Sequence, residues 1–346
     1  MTRSVRLGLS TGYWSAGPPS GIAEQIATAE RLGFDSMWTS EAYGSDALTP
    51  LAWWGAATTT LRLGTAIAQM SARTPTATAM AAMTLDHLSG GRVVLGLGAS
   101  GPQVVEGWYG QAYPRPLART REYVDIVRQT IARERPVTYD GEFYTLPRAG
   151  GTGLGKALKA TVHPLRAEIP IMLGAEGPKN VALAAEIADG WLPFWFSPKS
   201  DRFYREALAA GFARPGSRHR SLDTFEVVSI LPVLVDDDVE GCADFLRPMI
   251  ALYIGGMGAK GANFHYDVFA RMGYEAECEQ IQQLYLAGRK PDAIAAVPLA
   301  LVQDVALVGP ADKIAAELPR WRDTCVTTFL VQGPPPLLEQ IADIFA

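Results

Sequence analysis

Short apolar runs alternate with amphipathic stretches along this chain, regularly enough to predict its elements. Runs at 5–11, 34–39, 62–69, 92–97, 169–173, 191–195, 225–235 and 326–331 show little polar alternation. Strands covered on both faces need that pattern, as in parallel sheets flanked by helices. Between the runs, apolar residues recur with the helical period of about 3.6 residues. Examples are Ile22, Ile26 and Ala29; Met80, Met83 and Leu88; Tyr123, Ile126 and Thr130; and Val181, Ala184 and Ala188. Helices are also expected over 48–60, 200–211, from Asp236 to about Leu252, 310–320 and 337–345. Eight strands alternating with helices through short connections predict an α/β fold, a (β/α)8 TIM barrel. An open doubly wound sheet is the competing arrangement. Two insertion segments, about 135–168 and 253–305, break the rhythm. The first is glycine-rich and carries Lys156 and Lys159; a long loop of that kind is a functional lid or a disordered excursion. The second reads as largely helical.

Composition narrows the function classes. The 346 residues are 48% hydrophobic and 19% charged, which suits a filled core. A formal net charge of -5 does not favour bulk binding to nucleic acid or an anionic membrane. Cys242, Cys278 and Cys325 are widely spaced and odd in number, so no disulfide framework or zinc spacing follows. The opening Met1-Thr2-Arg3-Ser4 has no apolar signal core. A soluble cytoplasmic protein is the expectation. The histidines 87, 163, 219 and 265 lie far apart, and no metal site is expected.

In such barrels the chemistry sits where the strands end at their C-terminal side. The exits there are Tyr13 and Trp14, Ser40 and Glu41, 66–70, 98–103, 174–180, Trp195 and Phe196, and the tail after Val331. The set is aromatic, glycine-rich and poor in titratable groups, which suits a large flat ligand with a few polar handles. Gly96, Gly98 and Gly101 spell the dinucleotide fingerprint. That fingerprint needs a long helix directly after it, and Trp108-Tyr109-Gly110, Pro114 and Pro116 interrupt the segment. At 174–180 a strand runs into glycines and a helix opens near Pro178. Free N–H groups there, with Lys179, offer an anion site at the positive end of the dipole; an ordinary loop with a proline start is the other reading. Glu41 can exchange a proton or hydrogen-bond a cofactor ring, or simply cap the next segment. His87 reads as a core or helix-end histidine, Asp86 as the partner of an arginine such as Arg92, and Trp53, Trp54 and Trp108 as packing or interface residues.

The stretch Leu85-Asp86-His87-Leu88-Ser89-Gly90-Gly91-Arg92 resembles the bacterial-luciferase-like superfamily, and within it the branch that uses the deazaflavin coenzyme F420. The likeness extends over Gly33-Phe34-Asp35-Ser36-Met37-Trp38, Leu63-Gly64-Thr65-Ala66-Ile67, Ala175-Glu176-Gly177-Pro178, Ala188-Asp189-Gly190-Trp191 and Val308-Gly309-Pro310. It implies one luciferase-like TIM-barrel domain over 1–346, commonly a homodimer, with reduced F420, or alternatively FMN, in the barrel mouth. It places a non-prolyl cis peptide at Ala66–Ile67, backing the deazaflavin ring. It implies cofactor contacts at Ser40, Ala66, Ile67, Gly98, Ser100, Gln103, Gly174, Glu176, Gly177, Pro178, Lys179 and Asn180, the last four forming the phosphate loop. Glu41 falls at the family's acid beside the reactive ring carbon, and Ala42 stands where a histidine often follows. Gln103 stands near the place of a second acid. The resemblance therefore implies hydride transfer between F420 and a small, largely apolar organic substrate, with Glu41 or a bound water as proton partner. An FMNH2-dependent monooxygenase and a non-catalytic F420/flavin-binding protein are the alternatives. Lys156 and Lys159 are expected to close over the anionic tail of F420.

Overall fold

A computed structural model describes residues 5–258, 261 and 263–346, so the N-terminal residues 1–4 read above lie outside the described residues. Eight parallel strands close into a ring: β1 Arg6–Ser10, β2 Ser36–Thr39, β3 Arg62–Thr65, β4 Val93–Gly98, β5 Ile171–Gly174, β6 Gly190–Leu192, β7 Glu226–Ile230 and β8 Thr328–Val331. Closure is made by β1 pairing with β8, where Leu9 stands opposite Val331, and by β3 pairing with β4, where Leu63 stands opposite Val93. The open-sheet alternative is thereby excluded.

Two apolar layers follow from strands buried on both faces. Side chains pointing outward meet the surrounding helices, as Leu63, Leu95, Ile171 and Phe329 do. Those pointing inward fill the barrel: Trp38, Val94, Met172, Leu192, Val228 and Leu330. The filled interior confines any ligand to the mouth. Gly64 and Gly96 are needed for this packing. A Cβ at Gly64 would strike the Trp38 ring, and one at Gly96 the Thr65 carbonyl.

The structure redraws several sequence-derived elements. The run 62–69 is interrupted after Thr65 by a cis peptide between Ala66 and Ile67; Ala68–Gln69 then pairs separately with the end of β4. The run 225–235 splits at Pro232, which has no N–H for a ladder. Its second part, Val233–Val235, leaves the barrel and pairs with Leu307–Gly309, a strand just beyond the second insertion that the apolar runs did not single out. After the glycine lip comes only a six-residue helix, Pro102–Gly107, which confirms that the dinucleotide fingerprint is spurious here. Asp86 pairs with Arg166, not Arg92: Arg166 donates to both its oxygens, at 2.8 and 3.0 Å. Arg92 instead donates to the Leu61 carbonyl at 2.6 Å and the Thr58 carbonyl at 3.0 Å. The glycine stop after Ser89 is as expected, since Gly90 and Gly91 have φ of 67° and 89°.

The two insertions settle in different places. The first forms a short hairpin, Tyr139–Asp140 with Thr145–Leu146, against the helix Pro116–Ala132. Glu122 of that helix accepts from the backbone N–H groups of Glu142, Phe143 and Tyr144 at 2.8 to 3.0 Å. The chain then returns beneath the barrel, where Arg166 meets Asp86 and the start of β4. Lys159 donates to the Glu134 carbonyl at 3.1 Å. The expected lid over the mouth is therefore wrong: this segment is held to the outside and the lower end. The second insertion is helical, as expected, and has its own apolar cluster. Ile254, Phe269, Cys278, Ile281 and Val302 are buried there with Trp195 from beyond β6.

Candidate functional site

A cavity of about 720 Å³ opens at the C-terminal ends of the strands and is mostly apolar along its walls. Its floor is the barrel filling, with Leu192, Val228, Ile230 and Leu330 lining it from below. One wall comes from the ends of β3, β4 and β5. Ile67 lies across Gly98 and Gly174 so closely that a Cβ at Gly98 would stand 2.5 Å from Ile67 Cδ1, and one at Gly174 3.1 Å from Cγ2. The backbone around the cis bond is anchored by Ala66 N–H to the Thr39 carbonyl at 2.7 Å and Glu41 N–H to the Ile67 carbonyl at 3.2 Å. Ser100 follows in the left-handed region at φ 58°, and its carbonyl accepts from Tyr113 Oη at 2.7 Å.

Gly174 leads into the helix Pro178–Ile187, with Gly177 at its N-cap and no side-chain cap. Asn180 N–H turns back to the Gly177 carbonyl at 3.0 Å, so it is not free as the sequence suggested. Pro178 has no N–H, which leaves Lys179 N–H and the Asn180 side chain for a ligand. Pro178 and Lys179 are exposed outside the cavity wall, whereas Gly177 and Asn180 line it. Arg271 reaches over from the second insertion and donates to the Glu176 carbonyl at 3.2 Å, adding positive charge near this helix end.

Glu41 is buried at the exit of β2 and lines the cavity. Its Oε2 accepts from Gln69 N–H at 2.7 Å, and Arg73 Nη1 donates to both oxygens at 2.9 Å. It is fixed as an acceptor against Ala68–Gln69, just beyond the cis peptide. Ser40 is buried beside it but does not reach the wall. Of the other residues singled out in the sequence, Ala66, Ile67, Gly98, Ser100, Gln103, Gly174 and Glu176 all line the cavity.

The facing wall was mostly missed. It brings Tyr253, Met257, Phe264 and His265 from the end of the helix Val239–Gly255 and the second insertion. Asn263 holds this corner: its Nδ2 donates to the Tyr253 and Ile254 carbonyls at 2.8 Å, and its Oδ1 accepts from His265 N–H at 3.0 Å. Tyr253 stacks on Phe194, with centroids 4.6 Å apart, and presents an edge to the His265 ring at 4.7 Å. Burial pushes the Tyr13 hydroxyl above its ordinary pKa, more than its hydrogen bond to Tyr253 lowers it, and the Glu176 charge adds to the rise. Burial also pushes the Tyr253 hydroxyl up strongly, with Tyr13 and Glu176 adding to it. Both phenols stay protonated through neutral pH. Tyr13 is 45% exposed as a residue, so it links the buried hydroxyls to the mouth. The exit residues Trp195 and Phe196 are buried in packing, and it is Phe194 that faces the cavity. Trp54 packs on Trp14 and Trp53 is exposed, while Trp108, read from the sequence as a packing or interface residue, sits exposed at the cavity rim. His87 ends its helix with Nε2 at 2.7 Å from the His163 carbonyl, away from the site. No group of three or more His, Cys, Asp or Glu among the described residues could hold a metal ion, and no helix there is long and apolar enough to cross a membrane.

A closed parallel barrel with an apolar cavity at the C-terminal ends of its strands defines a class, and the family comparison makes it specific: the chain belongs to the luciferase-like monooxygenase family, whose model matches residues 5–328. Within it, the chain is 56% identical over 348 aligned residues to a Mycobacterium tuberculosis protein provisionally named a coenzyme F420-dependent oxidoreductase, covering 100% of this chain and 99% of that one. It is 35% identical over 235 residues to the 5,10-methylenetetrahydromethanopterin reductase of Archaeoglobus fulgidus, covering 67% of this chain and 65% of the relative. The fold superposes on the coenzyme F420-dependent tetrahydromethanopterin reductase of Methanopyrus kandleri with a TM-score of 0.80, at 23% identity, covering 98% of this chain and 97% of that one.

Proposed function

We propose that the chain is a coenzyme F420-dependent oxidoreductase that moves a hydride between the deazaflavin and a small, largely apolar organic substrate. The observation that carries this reading is the shape of the first wall. Ile67 is wedged over Gly98 and Gly174, leaving a flat backing, and the wall runs straight into an uncapped helix start at 177–180. A flat ring with a phosphorylated side chain fits that sequence of surfaces. The full-length likeness to a protein named for F420 supports the choice of deazaflavin over FMN. When bound, F420 supplies the ring carbon that gives or takes the hydride.

The chain's own residues do the rest. Ala66, Ile67, Gly98 and Gly174 back the ring and set its distance from the opposite wall. Ser100 and Gln103 meet its polar edge. Lys179 N–H, the Asn180 side chain and the dipole of the helix Pro178–Ile187 hold the phosphate, with Glu176, Gly177 and Pro178 shaping the loop; Ser40, buried behind Glu41, makes no direct contact with the cofactor. Glu41, pinned by Arg73 and Gln69, stands as the acceptor beside the reacting centre and takes or returns the substrate proton directly or through a water. The apolar floor excludes bulk water. A homodimer through the helices Leu48–Gly55 and Pro75–Ser89, which leave Trp53 and Met80 largely exposed, completes the reading.

Titration of the purified protein with F420 and with FMN, followed by quenching of cofactor fluorescence, tests this proposal. Saturation by F420 and not by FMN is expected. Saturation by FMN alone, with oxygen consumption once the flavin is reduced, would make the protein a monooxygenase instead. Tight F420 binding without turnover on any acceptor would make it a carrier. Gly98→Val is expected to weaken F420 at least tenfold, because the added side chain displaces Ile67 from its seat.

A further inference from the structure

Two exposed surfaces outside the mouth complement each other in both apolarity and charge. The first is a groove of about 480 Å³ between the helix Val239–Gly255 and the chain that follows β8. Its walls are apolar: Leu234 and Val235, Phe245, and Pro334, Pro336 and Leu337. Phe245 is 74% exposed. A large ring left in water beside an apolar groove marks an interaction surface. The rim is acidic, with Asp236, Asp237, Asp238 and Glu240 all exposed. Asp236 and Asp238 accept the N–H groups of Asp238 and Gly241 at 2.9 Å, which leaves their charge in place. Arg247 is taken by Glu240 and Asp244, and Lys313 by Glu317.

The second surface is the return of the first insertion. Residues 143–167 contain no Asp or Glu, and Arg148 and Lys156 are exposed there. Leu154 and Leu158 stand on either side of Lys156 at 86% and 66% exposure. Residues 154–160 form neither helix nor turn, and positions two apart share one face of an extended chain. The strip is held from behind. Val137 N–H donates to the Leu158 carbonyl at 2.8 Å and Arg133 Nε to the Ala160 carbonyl at 2.7 Å, while Lys159 is turned back to the Glu134 carbonyl. Two leucines around a lysine are thus presented to solvent on a fixed backbone.

We propose that the groove of one chain receives the strip 154–158 of a second copy, joining copies head to tail. Leu154 and Leu158 seat against Phe245 and Leu337, and Lys156 and Arg148 face Asp236 and Asp237. The apolar anchors supply the affinity, and the charges choose the partner and fix the register. The strip lies outside β4 and β5, whereas the groove lies outside β7 and β8, on another side of the ring. A chain therefore does not fill its own groove. The two surfaces differ, so the contact is heterologous and closes only as a ring of three or more copies, or runs on as a chain of them. It is separate from the homodimer faces proposed above, and it does not depend on the cofactor.

Light scattering during size-exclusion chromatography, at low and at high salt, tests this. The wild-type protein is expected to exceed the mass of a dimer at low salt and to fall back at high salt, as the rim charges are screened. Leu158→Ser is expected to weaken the association about tenfold, the worth of one buried leucine side chain. Asp236→Lys with Asp237→Lys is expected to weaken it by at least about tenfold, because like charges then face each other. Adding Arg148→Glu and Lys156→Glu to that variant reverses the pairing and is expected to restore the larger species. Far-UV circular dichroism of each variant, unchanged from the wild type, shows that only the contact was lost. A wild-type protein that stays at or below a dimer in low salt leaves the groove to another basic partner and overturns the proposal. A larger species that persists in Leu158→Ser or in the aspartate variant overturns it too, as does a combined charge reversal that fails to restore the assembly.

Discussion

The two insertions look alike as departures from the barrel rhythm, yet only one of them builds the site. The first, between the helix Pro116–Ala132 and β5, is held by polar contacts at the outside and the lower end of the barrel: Glu122 under the hairpin, Arg166 on Asp86, Lys159 on a helix end. The second carries enough buried apolar residues to form a core of its own and docks that core on Trp195 at the exit of β6. Polar ties supplement it, Tyr274 and Lys199 meeting at the Asp304 carboxylate, each at 2.5 Å. The lesson concerns what positions a functional side chain. A histidine can be held to a few tenths of an ångström only by a segment whose own packing is rigid. The lysines of the first insertion are suggestive by charge alone, and their segment is anchored elsewhere.

The contrast can be broken most forcefully at Phe269, fully buried in the second core and 5.3 Å from the Trp195 ring. Phe269→Ala is expected to cost about 3–5 kcal/mol, seen in urea unfolding, and to weaken F420 binding because the facing wall loosens. Retained binding at full affinity would mean that the wall does not depend on that core.

Arg166→Ala is the matching test of the first insertion. Asp86 is buried while Arg166 is about a third exposed, with side-chain exposures of 2% and 32%. Removing the arginine leaves a buried carboxylate without its main partner, so a loss of about 2 kcal/mol is expected, below the range for fully buried pairs because solvent reaches the arginine. F420 affinity should not change. Equal losses of stability and affinity would show that the lower end of the barrel is coupled to the mouth.

The smallest effect is expected from deleting residues 150–155, a stretch exposed throughout. Unfolding free energy should move by less than about 0.5 kcal/mol, and F420 affinity should stay the same. A fall in affinity would restore the lid that the structure rejects.

Most of the first cavity wall, the one proposed to back the cofactor, was legible in the chain because its requirements are local. Gly98 and Gly174 announce close approach of another group, Pro178 announces a helix start, and the Leu63–Ile67 stretch carries the family's likeness at the cis bond. The facing wall was not legible. His265 is a lone histidine in a helical stretch, and nothing around it in sequence distinguishes it from a packed one. Its place at the cavity is set by Asn263, which holds its backbone, and by Tyr253, at the end of the preceding helix. The Asp86 pairing failed for the same reason, since Arg92 is near in sequence but Arg166 is near in space.

The sequence by itself determined the periodicities, and with them the alternation of strand and helix, the stops at Gly90 and Gly91, and the ring of strand ends where the cavity opens. These are set by backbone conformation and by which faces must be buried, both fixed within a few residues. Only the tertiary structure decided which insertion covers the mouth, which arginine neutralises Asp86, and which histidine faces the cavity. Those outcomes depend on packing and charge compensation between segments far apart in the chain, where no local preference points the way.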